Sequence, residues 1–156
     1  MTKKILVVDD NRDAVLILTA TLKREKYSVL VATNGLDAVQ KGLEENPDLI
    51  LLDLMLPKMD GLEVCKVIKA NTKTHQIPIL ILTAKKDAES KKRCLELGAS
   101  EYLLKPIIPA DIVRHVRKYL GDKTPPPSSF SAPVISFFFW RWRPWMSIFG
   151  MKPKFS

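Results

Sequence analysis

The sequence is poor in the residues that build several common kinds of site. It contains six glycines, and none of them falls into the GxGxxG or GxxxxGK spacing that cradles phosphates in nucleotide-binding folds. Its two cysteines, Cys65 and Cys94, form no CxxC pair and have no histidine at metal-ligand spacing. These absences argue against a nucleotide loop, a zinc site and a disulfide framework. They predict two reduced, packed thiols in a cytosolic protein.

Long apolar runs are also missing. The apolar stretch after the first lysines, residues 5–8, is too short for the core of a secretory signal. No stretch approaches the roughly 20 apolar residues that cross a bilayer. We therefore expect a cytoplasmic protein.

Charge and aromatic residues are unevenly distributed along the chain. The net charge is +8, and residues 121–156 carry half of it on less than a third of the length. All six phenylalanines and all three tryptophans lie between Phe130 and Phe155, whereas none of the three tyrosines does. The composition thus predicts two regions, a domain over residues 1–121 and a separate segment over residues 122–156.

Short apolar runs alternate with segments of helical spacing in the first region. The predicted strands are residues 5–8, 28–32, 49–52, 79–82 and 102–104, and the predicted helices are residues 11–26, 36–45, 62–70, 88–97 and 111–120. This alternation indicates an α/β fold with a five-stranded parallel sheet and helices on both faces. Because such crossovers are right-handed, the strands end along one edge, where ligands bind in open sheets.

Polar residues follow the predicted strands at that edge. Asp9 and Asp10 end the first apolar run, Asp53 the third, Thr83 the fourth and Lys105 the fifth. Three carboxylates repel one another unless a cation shares them, and oxygen ligands with room for water suit Mg²⁺ better than zinc. The lysine would hold a dianionic group beside the metal, and the threonine hydroxyl would donate to it. Together these groups indicate phosphoryl transfer to a central carboxylate.

Four segments carry a resemblance to a known family. They read "VVDDN", "LLDLMLPKMDG", "ILTA" and "LGASEYLLKP", in this order and at fitting distances. The chain from Lys3 to about Leu120 resembles the receiver domain of bacterial two-component response regulators and is similar to the chemotaxis response regulator family. The resemblance implies a flavodoxin-like, doubly wound (βα)5 receiver fold.

The resemblance also implies a metal-dependent phosphorylation site. Asp53 matches the phosphoacceptor, which takes a phosphoryl group from a phosphohistidine of a sensor histidine kinase or phosphotransfer protein. Asp10 matches the direct Mg²⁺ ligand, and Asp9 the ligand that acts largely through water. Met55 would lend its backbone carbonyl to the metal.

A switch is implied as well. Lys105 matches the salt-bridging lysine of the family, and its peptide bond to Pro106 is expected to be cis. Thr83 matches the switch hydroxyl, and Tyr102 the aromatic residue that turns inward once Thr83 moves toward the phosphate.

Plainer interpretations stand beside these assignments. An aspartate after a strand is commonly a cap, and a lysine usually lies on the surface. For Tyr102, a half-buried core residue is nearly as good an interpretation as a switch residue. His75 and His115 have no partner at catalytic spacing, so we expect both to be exposed. The basic segment over residues 85–93 is interpreted as a solvated face open to a partner, rather than as a nucleic-acid site.

The expected function is that of a phosphorylation-activated receiver in a two-component phosphorelay, a signalling protein and not an enzyme. It would act on a downstream protein target without direct DNA binding, because no helix-turn-helix fits after Leu120. One alternative is a receiver fragment of a larger response regulator or hybrid kinase. Two others are an aspartate-nucleophile phosphatase, whose DxDx[TV] motif is missing, and a nucleotide- or flavin-binding fold of the same topology.

The second region has a composition of its own. Residues 125–129, PPPSS, are typical of an extended linker. The aromatic and cationic residues beyond them suit a membrane surface, a partner groove or nucleic-acid stacking. The preferred interpretation is an extension without an evolved role.

Overall fold

The computed structural model describes residues 2–121, in which five strands alternate with five helices. The strands are β1 (Lys4–Val8), β2 (Ser28–Ala32), β3 (Leu49–Leu52), β4 (Ile79–Thr83) and β5 (Glu101–Leu104). The helices are α1 (Arg12–Arg24), α2 (Gly35–Glu45), α3 (Gly61–Ala70), α4 (Ala88–Glu96) and α5 (Pro109–Leu120). All ten predicted elements are present, and their ends differ from the predictions by at most two residues.

The strands form one parallel sheet in the order β2-β1-β3-β4-β5. Strand β1 therefore lies inside the sheet and β2 at one edge. Strands β3, β4 and β5 follow on the other side of β1. The strand order reverses between β1 and β3, and in open sheets of this kind the ligand crevice lies outside the carboxyl ends of those two strands. The predicted α/β sheet is confirmed.

Two apolar clusters cover the two faces of the sheet. Leu6 and Val8 belong to one cluster and Ile5 and Val7 to the other, because successive strand side chains point to opposite faces. Residues from α2, α3 and α4 complete the first cluster, and residues from α1 and α5 complete the second. Burial on both faces explains why β1, β3 and β4 are continuous apolar runs.

Four of the five helices begin at a residue whose side chain caps the first turn. The caps are Asn11, Asn34, Asp60 and Asp87, and each accepts a hydrogen bond from a backbone N–H of the first turn. Helix α5 begins instead with Pro109, whose missing N–H costs nothing at that position. These starts set the short connections at the carboxyl edge of the sheet.

The cysteines and one histidine lie where the sequence predicted. Cys65 and Cys94 are free and buried, which confirms the packed thiols. Burial, with a smaller contribution from Cys65, raises the pKa of the Cys94 thiol to about 11. His75 is exposed, as expected.

The prediction that His115 is exposed is wrong. Its ring packs between α5 and β5, with Nδ1 3.0 Å from the Glu101 carboxylate and only 21% of the side chain exposed. The expectation failed because the partner, Glu101, comes from strand β5, and spacing along the helix does not reveal that contact.

Within residues 2–121, no helix is both long and apolar enough to span a membrane. The linker and basic aromatic segment predicted for residues 122–156 lie outside the described part of the chain.

Candidate functional site

Three carboxylates meet where β1 and β3 end. Asp9, Asp10 and Asp53 each place one oxygen within 4.8 Å of the others. The pairing of Val8 with Leu52 brings the ends of the two strands side by side, and the Asp53 N–H donates to the Val8 carbonyl at 3.0 Å. Asp9 and Asp53 are buried, with 2% and 8% exposure, whereas Asp10 is exposed.

Asp9 is held at its backbone and at both carboxylate oxygens. Its N–H donates to the Ala32 carbonyl at 3.1 Å, which ties it to the end of β2. Its Oδ1 accepts the Asn11 N–H at 2.9 Å, and its Oδ2 lies 2.6 Å from Lys105 Nζ. A buried carboxylate needs such partners, because losing its hydration is otherwise costly.

Lys105 joins two of the carboxylates. Its Nζ lies 2.6 Å from Asp9 and 3.3 Å from Asp53. Burial by itself lowers the pKa of Lys105, but the hydrogen bond to Asp9 and the charges of Asp53 and Asp9 outweigh burial, so the pKa lies above its usual value. The Lys105–Pro106 peptide bond is cis, as the resemblance implied.

The donor set fits a small divalent cation. Three carboxylates and one ammonium have a formal charge of −2, and all of the candidate ligand atoms are oxygens. The exposure of Asp10 leaves one side of the cluster open to water, and Mg²⁺ keeps several waters when a few protein oxygens bind it. Met55 is placed beside this cluster, because its N–H donates to Asp53 Oδ1 at 3.2 Å.

The loop after β3 closes tightly behind the phosphoacceptor candidate. The Gly61 N–H donates to the Leu54 carbonyl at 3.0 Å. A Cβ on Gly61 would lie 2.5 Å from the Asp53 carbonyl oxygen, so only glycine fits at this point. Lys58 in the same loop has a positive φ of 68°, a backbone conformation that residues other than glycine adopt rarely.

A second group of site residues lies at the ends of β4 and β5. Thr83 is fully buried, and its Oγ1 accepts the Lys85 N–H at 3.3 Å. The Tyr102 hydroxyl donates to the Lys85 carbonyl at 2.6 Å, while its ring packs against the core. Burial, followed by the charges of nearby acids, raises the pKa of Tyr102. Both candidate switch side chains therefore bind the backbone of one residue, Lys85.

The two groups are connected through Lys105. Its side chain reaches Asp9 and Asp53, and its N–H donates to the Thr83 carbonyl at 2.9 Å. All the predicted site residues thus occur along one edge of the sheet, and their chemical roles stay predictions. Tyr102 is half-buried and has its hydroxyl bonded, which agrees equally with the core and the switch interpretations.

Sequence reasoning missed two backbone contributions. The helical pattern predicts Asn11 as part of a helix, but in the structure its N–H donates to Asp9 and orients that carboxylate. An asparagine directly before a helical pattern is an N-cap signal, and this signal distinguishes Asn11 from the helix residues that follow it. The contacts of the Lys85 backbone with Thr83 and Tyr102 have no sequence signal, because they depend on the path of the loop.

Comparison with known sequences identifies relatives of this chain. The family described as the response regulator receiver domain matches residues 5–117. The alkaline phosphatase synthesis transcriptional regulatory protein PhoP of Bacillus subtilis is 46% identical over 120 residues, which are 77% of this chain and 49% of that protein. The chain thus spans about half the length of this relative.

Solved structures share the fold. The receiver domain of the sensor histidine kinase PA1611 from Pseudomonas aeruginosa, solved with a magnesium ion coordinated in the active site cleft, is 30% identical with a TM-score of 0.72 over 78% of this chain and 100% of that one. The BeF3-activated N-terminal receiver domain of Klebsiella pneumoniae RstA is 33% identical with a TM-score of 0.71 over 77% of this chain and 100% of that one. The chemotaxis protein CheY4 of Vibrio cholerae is 28% identical with a TM-score of 0.72, and the match covers 76% and 99% of the two chains.

Proposed function

Because the chain belongs to the response regulator receiver domain family, whose members act in phosphorylation-based two-component signalling, we propose that Asp53 accepts a phosphoryl group from a phosphohistidine. The donor is a sensor histidine kinase or a phosphotransfer protein. The observation that supports this most directly is the cluster at the carboxyl edge, where three carboxylate oxygens lie within 4.8 Å of one another and Lys105 Nζ lies 3.3 Å from Asp53.

The proposed step is an in-line transfer to one Asp53 carboxylate oxygen. The oxygen attacks phosphorus, the new O–P bond forms as the P–N bond to the imidazole breaks, and its electron pair returns to the nitrogen. Asp53 is oriented for this attack by the hydrogen bond from the Met55 N–H and by the bond of its own N–H to Val8. The Lys105 ammonium lies close enough to hold the negative charge of the phosphoryl oxygens.

We propose Mg²⁺ as the cofactor, held by Asp9, Asp10, Asp53 and the Met55 carbonyl. When bound, the ion neutralises oxygens of the transferring group. The all-oxygen donor set and its formal charge support the choice, as does the magnesium ion in the cleft of the Pseudomonas receiver domain.

The output is proposed to be a change of a protein-binding face and not catalytic turnover. The phosphoryl group ends on the protein's own side chain. Thr83 and Tyr102 connect the site to the loop before α4, and residues 84–89, which form this loop and the start of α4, are exposed. The target is then a downstream protein in the cytoplasm, reached without direct DNA contact by this domain.

A second proposal places the receiver inside a longer regulator. The Bacillus relative is about twice as long as the matched region, and the Pseudomonas relative is the receiver domain of a sensor histidine kinase. The site chemistry is the same in both proposals, so one experiment tests the phosphorylation step that they share.

The test is phosphorylation of the full chain by acetyl phosphate, with the added group located by tandem mass spectrometry. We expect one phosphoryl group on Asp53. Labelling should not occur when Mg²⁺ is chelated before the donor is added, or in Asp53→Asn. Asp48→Asn is the matched control: it is the same chemical change at the opposite edge of the sheet, where Asp48 accepts the Lys4 N–H, and it should be labelled like wild type. Undiminished labelling of Asp53→Asn would contradict the assignment of Asp53 as the phosphoacceptor.

A further inference from the structure

Gly35, the first residue of α2, packs its backbone directly against the loop that follows β3. Its N–H donates to the Pro57 carbonyl at 3.3 Å. A Cβ at this position would lie 1.9 Å from the Met59 carbonyl oxygen and 2.6 Å from Met59 Cβ. Since real Cβ atoms essentially never approach another atom within 3.0 Å, an alanine here would force the helix or the loop to shift. The obstacle is backbone, which cannot rotate away as a side chain would.

This contact joins two segments that lead to different parts of the acidic cluster. On one side, Gly35 follows β2 by a short turn, and the last residue of β2, Ala32, accepts the Asp9 N–H at 3.1 Å. On the other side, Pro57 and Met59 belong to the loop that contains Met55. The start of α2 therefore connects the end of β1, through β2, with the loop that continues from Asp53.

The same loop is held at its far end by the second close glycine contact. Gly61 packs on the Asp53 carbonyl and on Leu54, so the two ends of the loop are in contact with each other. Between these points, Leu56 and Met59 pack against the core, and the Gly35 backbone contacts both Pro57 and Met59. Gly35 is therefore one of the contacts that set the path of the loop.

We propose that Gly35 is a positioning residue for the Mg²⁺ site. Its close contact sets the path of the β3–α3 loop and, with it, the position of Met55 relative to Asp9 and Asp53. Gly35 touches neither metal nor phosphoryl group; it acts through the loop, in the way that groups around a metal site orient the ligands. The inference rests on the proposed function, because the site it serves is the proposed Mg²⁺ site.

Gly42 provides a matched control within the same helix. A Cβ on Gly42 would meet only the side chain of Ile68 on α3, and the close contact, at 2.6 Å, is with Cδ1, the flexible end of that side chain. Gly42→Ala thus adds the same methyl group to α2 and disturbs packing, but it leaves the loop alone. A purely structural role of Gly35 would make the two alanine variants behave alike.

The experiment is a Mg²⁺ titration of the full chain, its Gly35→Ala variant and its Gly42→Ala variant, followed by amide NMR shifts and by thermal unfolding. We expect Gly35→Ala to remain folded and to bind Mg²⁺ roughly 10-fold more weakly, the lower end of the loss seen when outer groups of a metal site are changed. Gly42→Ala should bind Mg²⁺ like wild type. Equal Mg²⁺ affinity in the two folded variants overturns the proposal.

A wild-type measurement keeps the proposal testable if Gly35→Ala does not fold. On Mg²⁺ binding, the Gly35 amide signal should shift together with that of Met55, while the Gly42 signal stays in place. A Met55 shift without a Gly35 shift overturns the positioning role and leaves the proposed function intact. Wild-type protein that binds no Mg²⁺ overturns both.

Discussion

The two halves of the sheet's carboxyl edge are built differently. At the ends of β1 and β3, Asp9 and Asp53 are nearly buried, and both accept backbone hydrogen bonds and face the Lys105 ammonium. At the ends of β4 and β5, Thr83 is buried, but residues 84–89 after it are all exposed, and Tyr102 is only half-buried. The half proposed to carry the chemistry is preorganised, whereas the half proposed to signal lies where rearrangement disturbs little packing.

The difference follows from the order of the strands. Strands β1 and β3 have a neighbour on each side and are covered on both faces, so their ends are fixed by many contacts. Within residues 2–121, strand β5 pairs only with β4, and none of its four residues is fully buried. An edge strand beside an exposed loop can adopt a second arrangement more cheaply than a central strand can.

Replacing Lys105 tests the link between the two halves and carries the largest expected effect. Lys105→Ala removes the ammonium next to Asp9 and Asp53 and leaves the three carboxylates in place. We expect Asp53 still to accept phosphate, but the phosphorylation-induced shifts of the Thr83 and Tyr102 amide signals to fall to a small fraction of wild type, because the phosphate is no longer held in one place. Lys118→Ala, which loses a lysine pairing with Glu101, is the control. Shifts of wild-type size in Lys105→Ala would contradict the link.

The lifetime of the phosphorylated state probes one residue from each half. In receivers, the residues two after the phosphoacceptor and two after the switch threonine line the path of attacking water; here they are Met55 and Lys85, both exposed. Neither side chain accepts a hydrogen bond from water well, so we expect slow self-hydrolysis.

The double variant Met55→Asn, Lys85→Glu should lose phosphate several-fold faster. Mass spectrometry after removal of the donor measures the rate, and Lys86→Glu at the neighbouring exposed position controls for the added charge. A half-life no shorter than that of wild type would refute the role of these two positions.

The pH dependence of stability tests how the edge strand is anchored. Glu101 of β5 accepts hydrogen bonds from Tyr119 and Lys118 of α5. Burial by itself raises the pKa of Glu101, but these bonds and the His115 charge outweigh it and hold the pKa below its usual value of 4.5. Because the folded pKa is the lower one, the stabilisation is present above pH 4.5 and is lost as the pH falls through the folded pKa.

Acid should therefore destabilise wild type more than Glu101→Gln. The difference in the free energy of unfolding is expected to be on the order of 1 kcal/mol, as for a partly exposed ion pair. Urea unfolding at several pH values below and above 4.5 measures it, with the exposed Glu96→Gln as control. Parallel acid profiles for wild type and Glu101→Gln would show that this contact contributes nothing.

The smallest effect is expected from removing the second region. A chain ending at Gly121 keeps every site residue, so its rate of phosphorylation by acetyl phosphate should equal that of the full chain. The two chains should also co-sediment equally with anionic vesicles if the aromatic segment is a passive extension. Binding by the full chain alone, weakened by salt, would reveal a membrane anchor.

Much of this molecule can be predicted from local patterns. The strands are visible because each is a short apolar run that ends at a polar residue, and the helices because their apolar spacing starts after a cap such as Asn34 or Asp60. These features depend on neighbours in the chain. The meeting of Asp9, Asp53 and Lys105 was also predictable, because a parallel sheet forces all strand ends to one edge. Their assigned roles came from the family resemblance.

The fold was needed to show how those residues are arranged. Asp9 is buried while Asp10 is exposed, and Lys105 lies closer to Asp9, 96 residues away, than to Asp53, 52 residues away. The contact of Gly35 with Met59 was equally invisible, because the two residues are far apart in sequence and meet only when helix α2 packs against the loop after β3. Periodicity and capping are set within a few residues of sequence. Choice of partner and degree of burial arise only when sheet register and helix packing bring distant segments together.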